Sequence, residues 1–363
     1  MEDTQMDDGA TALETPTPTS SSETFVPPSI HRAPTLAGET YTHFSPVPPS
    51  LLPPDSEPVP VVLGVDEAGR GPVLGPMVYG IFYLPLPASD PLLKSTYHFD
   101  DSKVLTPSTR SSLMRTLCTP STPLHSSCGW ATTSLSARDI GASMLRAGGA
   151  YNLNAQAMDA TASLIQGVLD RGVRVAEIYV DTVGPPAVYQ RRLERLFPTA
   201  RVRVEKKADS LFPCVSAASV CAKVTRDAAL EVLYEARAGA GTALRTDGAK
   251  GEDGDEDGDG KDGEEEQEEE LSWGSGYPSD ARCVAWLRRN MHPVFGWGPE
   301  CRFSWGTAKD MLELKGGVKV DWPVDEDEGT SRLTDFFVGS GDREQDADEL
   351  GTWFGTPAGL EAF

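Results

Sequence analysis

The chain has 363 residues, room for one large domain or two small ones, and a formal net charge of −23. That average would exclude a polyanionic partner, but residues 1–60 carry −8, 247–270 carry −12 and 321–363 carry −10, leaving the remainder near +7. No apolar run approaches a membrane span, Met1-Glu2-Asp3-Thr4 opens no basic-then-apolar leader, and the six cysteines show no metal-type spacing. A soluble, intracellular protein with free thiols and no membrane contact is expected.

Residues 1–58 are rich in Pro, Ser, Thr and Glu and poor in large apolar side chains, so they are expected to be a disordered tail. Apolar density rises from Val59, and strands are predicted at Val61–Asp66 and Met77–Leu84. Thr106 can cap a helix reaching about Leu117, and Gly129–Ser134 reads as another strand. Tyr151–Leu169 places Leu153, Ala157, Thr161, Leu164, Ile165 and Val168 at helical spacing. A strand at Arg174–Asp181, a helix near Ala187–Leu196, a strand near Arg201–Glu205 and a long helix near Pro213–Ala236 follow. Residues 238–272 pass into Gly/Asp/Glu low complexity and read as a disordered insertion, before helices near Ser279–Asn290 and Trp305–Leu314 close the core. A meander followed by strands alternating with helices predicts an α/β fold, a mixed sheet covered by helices.

The chemistry concentrates in Val61-Val62-Leu63-Gly64-Val65-Asp66-Glu67-Ala68-Gly69-Arg70-Gly71-Pro72. An apolar strand that ends on two carboxylates must desolvate them, a cost most easily offset if the acids meet cations. The glycines on either side of Arg70 let backbone groups approach a ligand closely. Because side chains alternate along a strand, Asp66 and Glu67 can share one site only if regular pairing stops there, which the glycine turn would provide. Asp181 ends a second apolar strand before a Gly-containing turn, and Asp209 lies just before the long helix. A lone strand-end Asp is commonly a turn-former or cap. Grouped oxygen ligands without His or Cys suit Mg²⁺ or Mn²⁺, and two such ions could drive an in-line phosphoryl displacement. The small residues Ser216-Ala217-Ala218-Ser219 fit a helix lying close on a sheet. His292, Trp286, Phe295, Trp297 and Trp305 are read as core.

Together, Asp66-Glu67-Ala68-Gly69-Arg70-Gly71-Pro72, Asp101-Ser102-Lys103, Tyr151-Asn152-Leu153-Asn154, Tyr179-Val180-Asp181-Thr182-Val183-Gly184, Lys207-Ala208-Asp209 and Ser216–Lys223 resemble the ordered signature of type 2 ribonuclease H. Gly274–Asp280 and Pro293-Val294-Phe295-Gly296 are similar to the eukaryotic catalytic A subunit in particular. The resemblance runs from about Val61 to Ala308 and implies a ribonuclease H-like catalytic domain over 59–320, with a C-terminal helical extension. It implies a divalent-metal endonuclease that cuts RNA in RNA–DNA hybrids and single ribonucleotides in duplex DNA. Carried over, Asp66, Glu67, Asp181 and Asp209 would be catalytic metal ligands, and Gly69-Arg70-Gly71 would read the ribose 2′-hydroxyl through its backbone. Tyr277 would stack on the neighbouring sugar. Lys103 and Arg226 fit either phosphate contacts or ordinary surface bases. Two noncatalytic subunits forming a heterotrimer, and a nuclear location, are implied too.

Two features depart from the family pattern. The acidic run 247–270 replaces a compact link and fits either a tolerated surface insertion or a charge gate over a nucleic-acid groove. In the acidic tail 321–363, Thr330-Ser331-Arg332-Leu333-Thr334-Asp335-Phe336-Phe337 resembles a sliding-clamp-binding box, with Thr330 in place of the usual Gln. It fits docking on partner subunits equally well. A type 1 ribonuclease H and a noncatalytic hybrid-binding protein are the competing readings.

Overall fold

The structure is a computed structural model that describes residues 25–99, 105–145, 151–182, 184–246, 273–314 and 318. Lys103, the acidic run 247–270 and the clamp-like segment 330–337 lie outside the described residues.

Six strands form one mixed sheet in the order β1-β4-β3-β2-β5-β6. They are β1 (Tyr41–Phe44), β2 (Val61–Ala68), β3 (Met77–Pro85), β4 (Gly129–Leu135), β5 (Val175–Asp181) and β6 (Arg201–Glu205). The strands β1, β4, β3 and β2 pair antiparallel, while β2–β5 and β5–β6 pair parallel. Strand β2 is therefore the seam between the two halves. It is buried on both faces, as its nearly unbroken apolar run requires.

The helices begin where the sequence places caps. The Thr106 hydroxyl accepts the N–H of Thr109 (3.2 Å) ahead of α2 (Pro107–Cys118), with Pro107 in the first turn where no N–H is needed. Short α3 (Pro123–Ser127) and α4 (Ala137–Met144) flank β4. Asn152 accepts from Asn154 and Ala155 (3.0 and 3.1 Å) at the start of α5 (Leu153–Leu169). Leu164, Ile165 and Val168 of α5 are completely buried against one face of the sheet, each worth roughly 1.5–3 kcal/mol. That face also carries Val61, Leu63 and Val65, and α6 (Pro186–Leu196) adds Leu193.

On the opposite face lies α7 (Pro213–Thr246). A Cβ at Gly64 would stand 2.3 Å from the backbone of Cys214, and one at Gly80 would stand 2.6 Å from the Ala218 carbonyl oxygen. Glycine on the strands and Ala217, Ala218 and Ala222 on the helix let the two backbones meet, as the small-residue run led one to expect. A third cluster joins Val73 and Leu74 to Trp273, Cys283, Trp286, Leu287 and Trp297, burying α8 (Ala281–Arg289) and α9 (Gly306–Leu314) against Leu230 and Leu233 of α7.

The expectation for the N-terminal tail needs correcting. From Phe25 onward it folds: α1 (Arg32–Ala37) contacts α7, and β1 extends the sheet beside β4. It is held by the backbone ladder, a Thr42–Thr133 hydroxyl pair (2.9 Å) and a buried Ser29–Thr225 pair (2.7 Å), and by scattered apolar anchors: Leu51, completely buried, with Phe44, Phe25 and Leu36 packed against the core clusters. Anchors this sparse do not raise the local apolar density.

Candidate active site

Asp66 and Glu67 point to opposite faces of β2. Val62 and Gly64 face α7, while Val65 faces α5, so Asp66 turns to α7 and Glu67 to α5 and α6. The expected stop in pairing occurs on one side only. Pairing with β3 continues through Ala68–Val78, but the parallel ladder with β5 ends at Val65–Val180. Asp181, one residue further on β5, thus stands level with Asp66 at the open end of the seam. Asp209 comes in on the 3₁₀ turn Ala208–Ser210, itself buried.

These acids burden one another. Burial first, then the charges of Glu67 and Asp181, hold the Asp66 carboxyl well above the usual carboxylate range, against the N–H of Glu67 donating to its Oδ1 (2.8 Å). Burial pushes Glu67 up to about 7, opposed by Arg70, whose guanidinium lies 3.9 Å away. Asp181 is raised by burial and by Asp209, although the N–H of Ala208 donates to its Oδ1 (2.7 Å). To aim that N–H, Lys207 adopts the left-handed conformation (φ 57°), uncommon for a residue with a side chain. Asp209 Oδ1 accepts the N–H of Ser210 (3.1 Å).

No three His, Cys, Asp or Glu side chains among the described residues are grouped tightly enough to hold a metal ion. Their hydrogen bonds explain the spacing: Asp66, Asp181 and Asp209 each have one oxygen on a backbone N–H, and Glu67 leans to Arg70. The donor set still fits a hard divalent cation. It is all oxygen and mostly buried, the ligand chemistry that Mg²⁺ or Mn²⁺ takes.

Beside the acids, Gly69 (φ 76°) begins the turn, where a Cβ would lie 2.7 Å from the Pro76 carbonyl oxygen. A Cβ on Gly71 would meet the Tyr277 ring at 3.1 Å. Gly69 is thus required by its backbone, whereas a side chain at Gly71 would displace the Tyr277 ring by a few tenths of an ångström. Arg302, with no exposed surface, donates Nη2 to the Gly69 carbonyl (2.6 Å), Nη1 to that of Arg70 (3.1 Å) and Nε to that of Gly75 (3.0 Å). Trp305 donates Nε1 to the Gly71 carbonyl (2.9 Å). Three successive carbonyls are turned inward. With these carbonyls engaged, the N–H groups of the turn are its unengaged backbone donors: those of Arg70 and Gly71 donate to no other described residue. Burial, then the nearby charge of Arg226, pushes Arg302 down to about 9, which leaves it a cation at neutral pH.

Tyr277 is 42% exposed beside this turn. Its loop is pinned by Gly276, whose carbonyl accepts the N–H groups of Val73 and Leu74 (2.9 and 3.2 Å). Asp280 accepts both the N–H and the hydroxyl of Ser275 (2.9 Å each), and the Ser275 N–H is the main reason its carboxyl is held down to about 2. Arg226 departs from the expected surface position. It is buried beneath the loop, with Nη2 on the Ser275 carbonyl (2.6 Å) and Nη1 on Asp227 (3.1 Å), so it supports Tyr277 from below. The Arg70 side chain points the other way, donating Nη2 to Asn154 Oδ1 (2.5 Å) at the rim of a cavity of about 340 Å³ that Glu67, Tyr79 and Asp181 also line. Trp286 and Trp297 are core, as expected, and Trp305 is half-buried, whereas His292 is exposed and Phe295 is 76% exposed on the turn that His292 and Gly296 close.

The structure thus brings Asp66, Glu67, Asp181, Asp209, the glycine turn and Tyr277 to one end of the sheet. Sequence reasoning missed Arg302 and read Trp305 only as core; both hold the turn from more than 200 residues away. Nothing in Cys301-Arg302-Phe303 distinguishes a buried guanidinium from a surface one.

Comparison with known proteins shows the family and the fold. The Ribonuclease HII family model matches residues 63–248. The A subunit of ribonuclease H2 from Neurospora crassa is 59% identical over 342 residues, covering 93% of this chain and 97% of the relative. Its Homo sapiens counterpart is 40% identical over 285 residues, covering 78% and 83%. Among solved structures, ribonuclease H2 from Pyrococcus horikoshii OT3 is similar, with a TM-score of 0.50 and 26% identity, covering 70% of this chain and 97% of that one. The chain belongs to the ribonuclease HII family and is a ribonuclease H enzyme. Its fold is the ribonuclease H-like mixed sheet flanked by helices.

Proposed function

We propose that this chain is the catalytic component of a nuclear, multi-subunit ribonuclease H2 that hydrolyses the RNA strand of RNA–DNA hybrids and cuts on the 5′ side of single ribonucleotides in duplex DNA. The observation that carries the reading is the placement of the four acids beside a glycine turn whose Arg70 and Gly71 N–H groups donate to no other described residue and against which the half-exposed Tyr277 ring lies. A 2′-hydroxyl is what separates RNA from DNA, and backbone N–H groups can register it only where no side chain intervenes. Asp66, Glu67, Asp181 and Asp209 would hold two divalent ions, Mg²⁺ or Mn²⁺. When bound, such ions supply an activated water and stabilise the departing oxygen of a phosphodiester. The basic balance of the core suits the phosphates, and Arg70 at the cavity rim is placed to meet one. The likeness to eukaryotic A subunits supports assembly with two noncatalytic chains. The work of such an enzyme would be removal of RNA primers and misincorporated ribonucleotides during DNA replication and repair. The segment around Leu333, Phe336 and Phe337 is proposed to engage either those chains or a sliding clamp.

The test is cleavage of duplex DNA carrying one ribonucleotide, with and without coexpressed partner subunits. The cut is expected on the 5′ side of the ribonucleotide, leaving a 3′-hydroxyl and a 5′-phosphate. Asp66→Asn and Asp181→Asn should abolish it while hybrid binding largely survives, because the carboxylates serve the transition state and the basic core holds the phosphates. Near-normal turnover by either variant in Mg²⁺ would remove the metal-site assignment. A wild-type enzyme that ignored single ribonucleotides but cut long hybrids would point to a type 1 activity.

A further inference from the structure

Among the described residues, four buried side-chain atoms lack a hydrogen-bond partner: the hydroxyls of Tyr79, Thr132 and Ser219 and Nε of Arg226. Tyr79 is the telling one. It sits on β3 directly opposite Glu67 on β2, and antiparallel partners present their side chains on the same face, with Cβ atoms roughly 4.5–5.5 Å apart. Tyr79 is 2% exposed, and both residues line the same cavity. The Arg70 guanidinium also lies near the phenol, but it can only donate and so leaves the phenolic proton without an acceptor. The Glu67 carboxylate is equally ill provided for. It makes no side-chain hydrogen bond to any described residue and has only the long contact to Arg70 at 3.9 Å. An unpaired donor and an underpaired acceptor therefore share one register position on one wall of the cavity. Such orphaned groups are rare in folded proteins and point to a use the resting arrangement does not display. The neighbouring Tyr189 provides the contrast, since its hydroxyl is already bonded to Thr161 Oγ1 at 2.9 Å.

We propose that Tyr79 is a positioning residue for Glu67: its hydroxyl donates to one carboxylate oxygen when Glu67 turns from Arg70 toward a bound divalent cation, leaving the other oxygen for the cation. The inference rests on the metal site of the proposed function. A phenol has a single proton to donate, so it would fix one oxygen and thereby the orientation of the other. Burial and the Glu67 charge both hold the Tyr79 phenol well above its ordinary range, so it remains a donor at any working pH.

The experiment is a Mn²⁺ titration of the full-length chain by calorimetry, comparing wild type, Tyr79→Phe and Tyr189→Phe, alongside thermal melting and steady-state cleavage. Tyr79→Phe is expected to weaken Mn²⁺ binding roughly 10–100-fold, the usual effect of losing a partner of a metal ligand. Its kcat should fall with KM for nucleic acid unchanged. Its melting temperature should hold or rise, because a buried hydroxyl without a partner has been removed. Tyr189→Phe should leave Mn²⁺ affinity unchanged. Unaltered Mn²⁺ affinity in Tyr79→Phe, or a loss that accompanies a lowered melting temperature, overturns the proposal. A wild-type chain that binds no Mn²⁺ overturns the metal reading and the proposal together. Wild-type Mn²⁺ binding without cleavage of ribonucleotide-containing substrates overturns only the proposed function.

Discussion

Arg302 shows how much one side chain can carry. Its fork meets three carbonyls, two of them in the glycine turn, and it has no exposed surface. Arg302→Gln would leave carbonyls without donors, at about 1–3 kcal/mol each, so its urea midpoint should fall and cleavage should fall further than stability alone predicts. Arg302→Lys keeps the charge but not the planar fork, and should resemble Gln more than wild type. Wild-type activity in Arg302→Lys would mean that charge rather than geometry holds the turn. Tyr277 is tested differently. Tyr277→Ala should harm cleavage of a single embedded ribonucleotide more than cleavage of a long hybrid, by no more than the roughly 1–3 kcal/mol that stacking on a base is worth. Equal losses on both would remove it from junction sensing. At this scale the acids and the glycine turn were legible, because strand-end carboxylates and paired glycines are locally unusual. Arg302, Trp305 and the buried setting of Arg226 were not, since their meaning comes from residues distant in the chain.

Strand β2 and helix α7 are the elements that set the site. The seam between antiparallel and parallel halves frees the end of β2 on the β5 side, and α7 closes the opposite face at backbone contact distance. Gly64→Ala would place its Cβ 2.3 Å from the Cys214 backbone, forcing the start of α7 away from the sheet. Overpacking of this kind costs about 1–3 kcal/mol, so the variant should unfold at lower denaturant, and activity should drop because Asp209 immediately precedes α7. An unchanged denaturant midpoint would show that α7 can shift freely. The main strands and helices were readable from apolar runs and caps, as β2, β5, α5 and α7 show. The helix Arg32–Ala37 and the strand Tyr41–Phe44 were not, because pairing with Gly129–Leu135 depends on backbone groups that every residue carries.

At the scale of the whole molecule, the N-terminal segment acts as the closing edge of the sheet. Deleting residues 1–44 would bare β4 as an open edge with unpaired N–H and C=O groups. The truncated chain should show faster amide exchange in β4 and concentration-dependent aggregation by light scattering; a monomeric product with native exchange rates would make β1 an ornament rather than a support. The bonds from Arg302 to Gly69 and Arg70 have a further consequence, one of timing. All four acids are in the growing chain once Asp209 is made, yet the turn beside them has no anchor until Arg302 and Trp305 emerge. At about 5–20 residues per second that interval lasts on the order of ten seconds. On the proposed function, a nascent chain would therefore carry the candidate metal ligands before the turn proposed to read the ribose was held in place, so that selectivity would be acquired later in synthesis than the acids themselves.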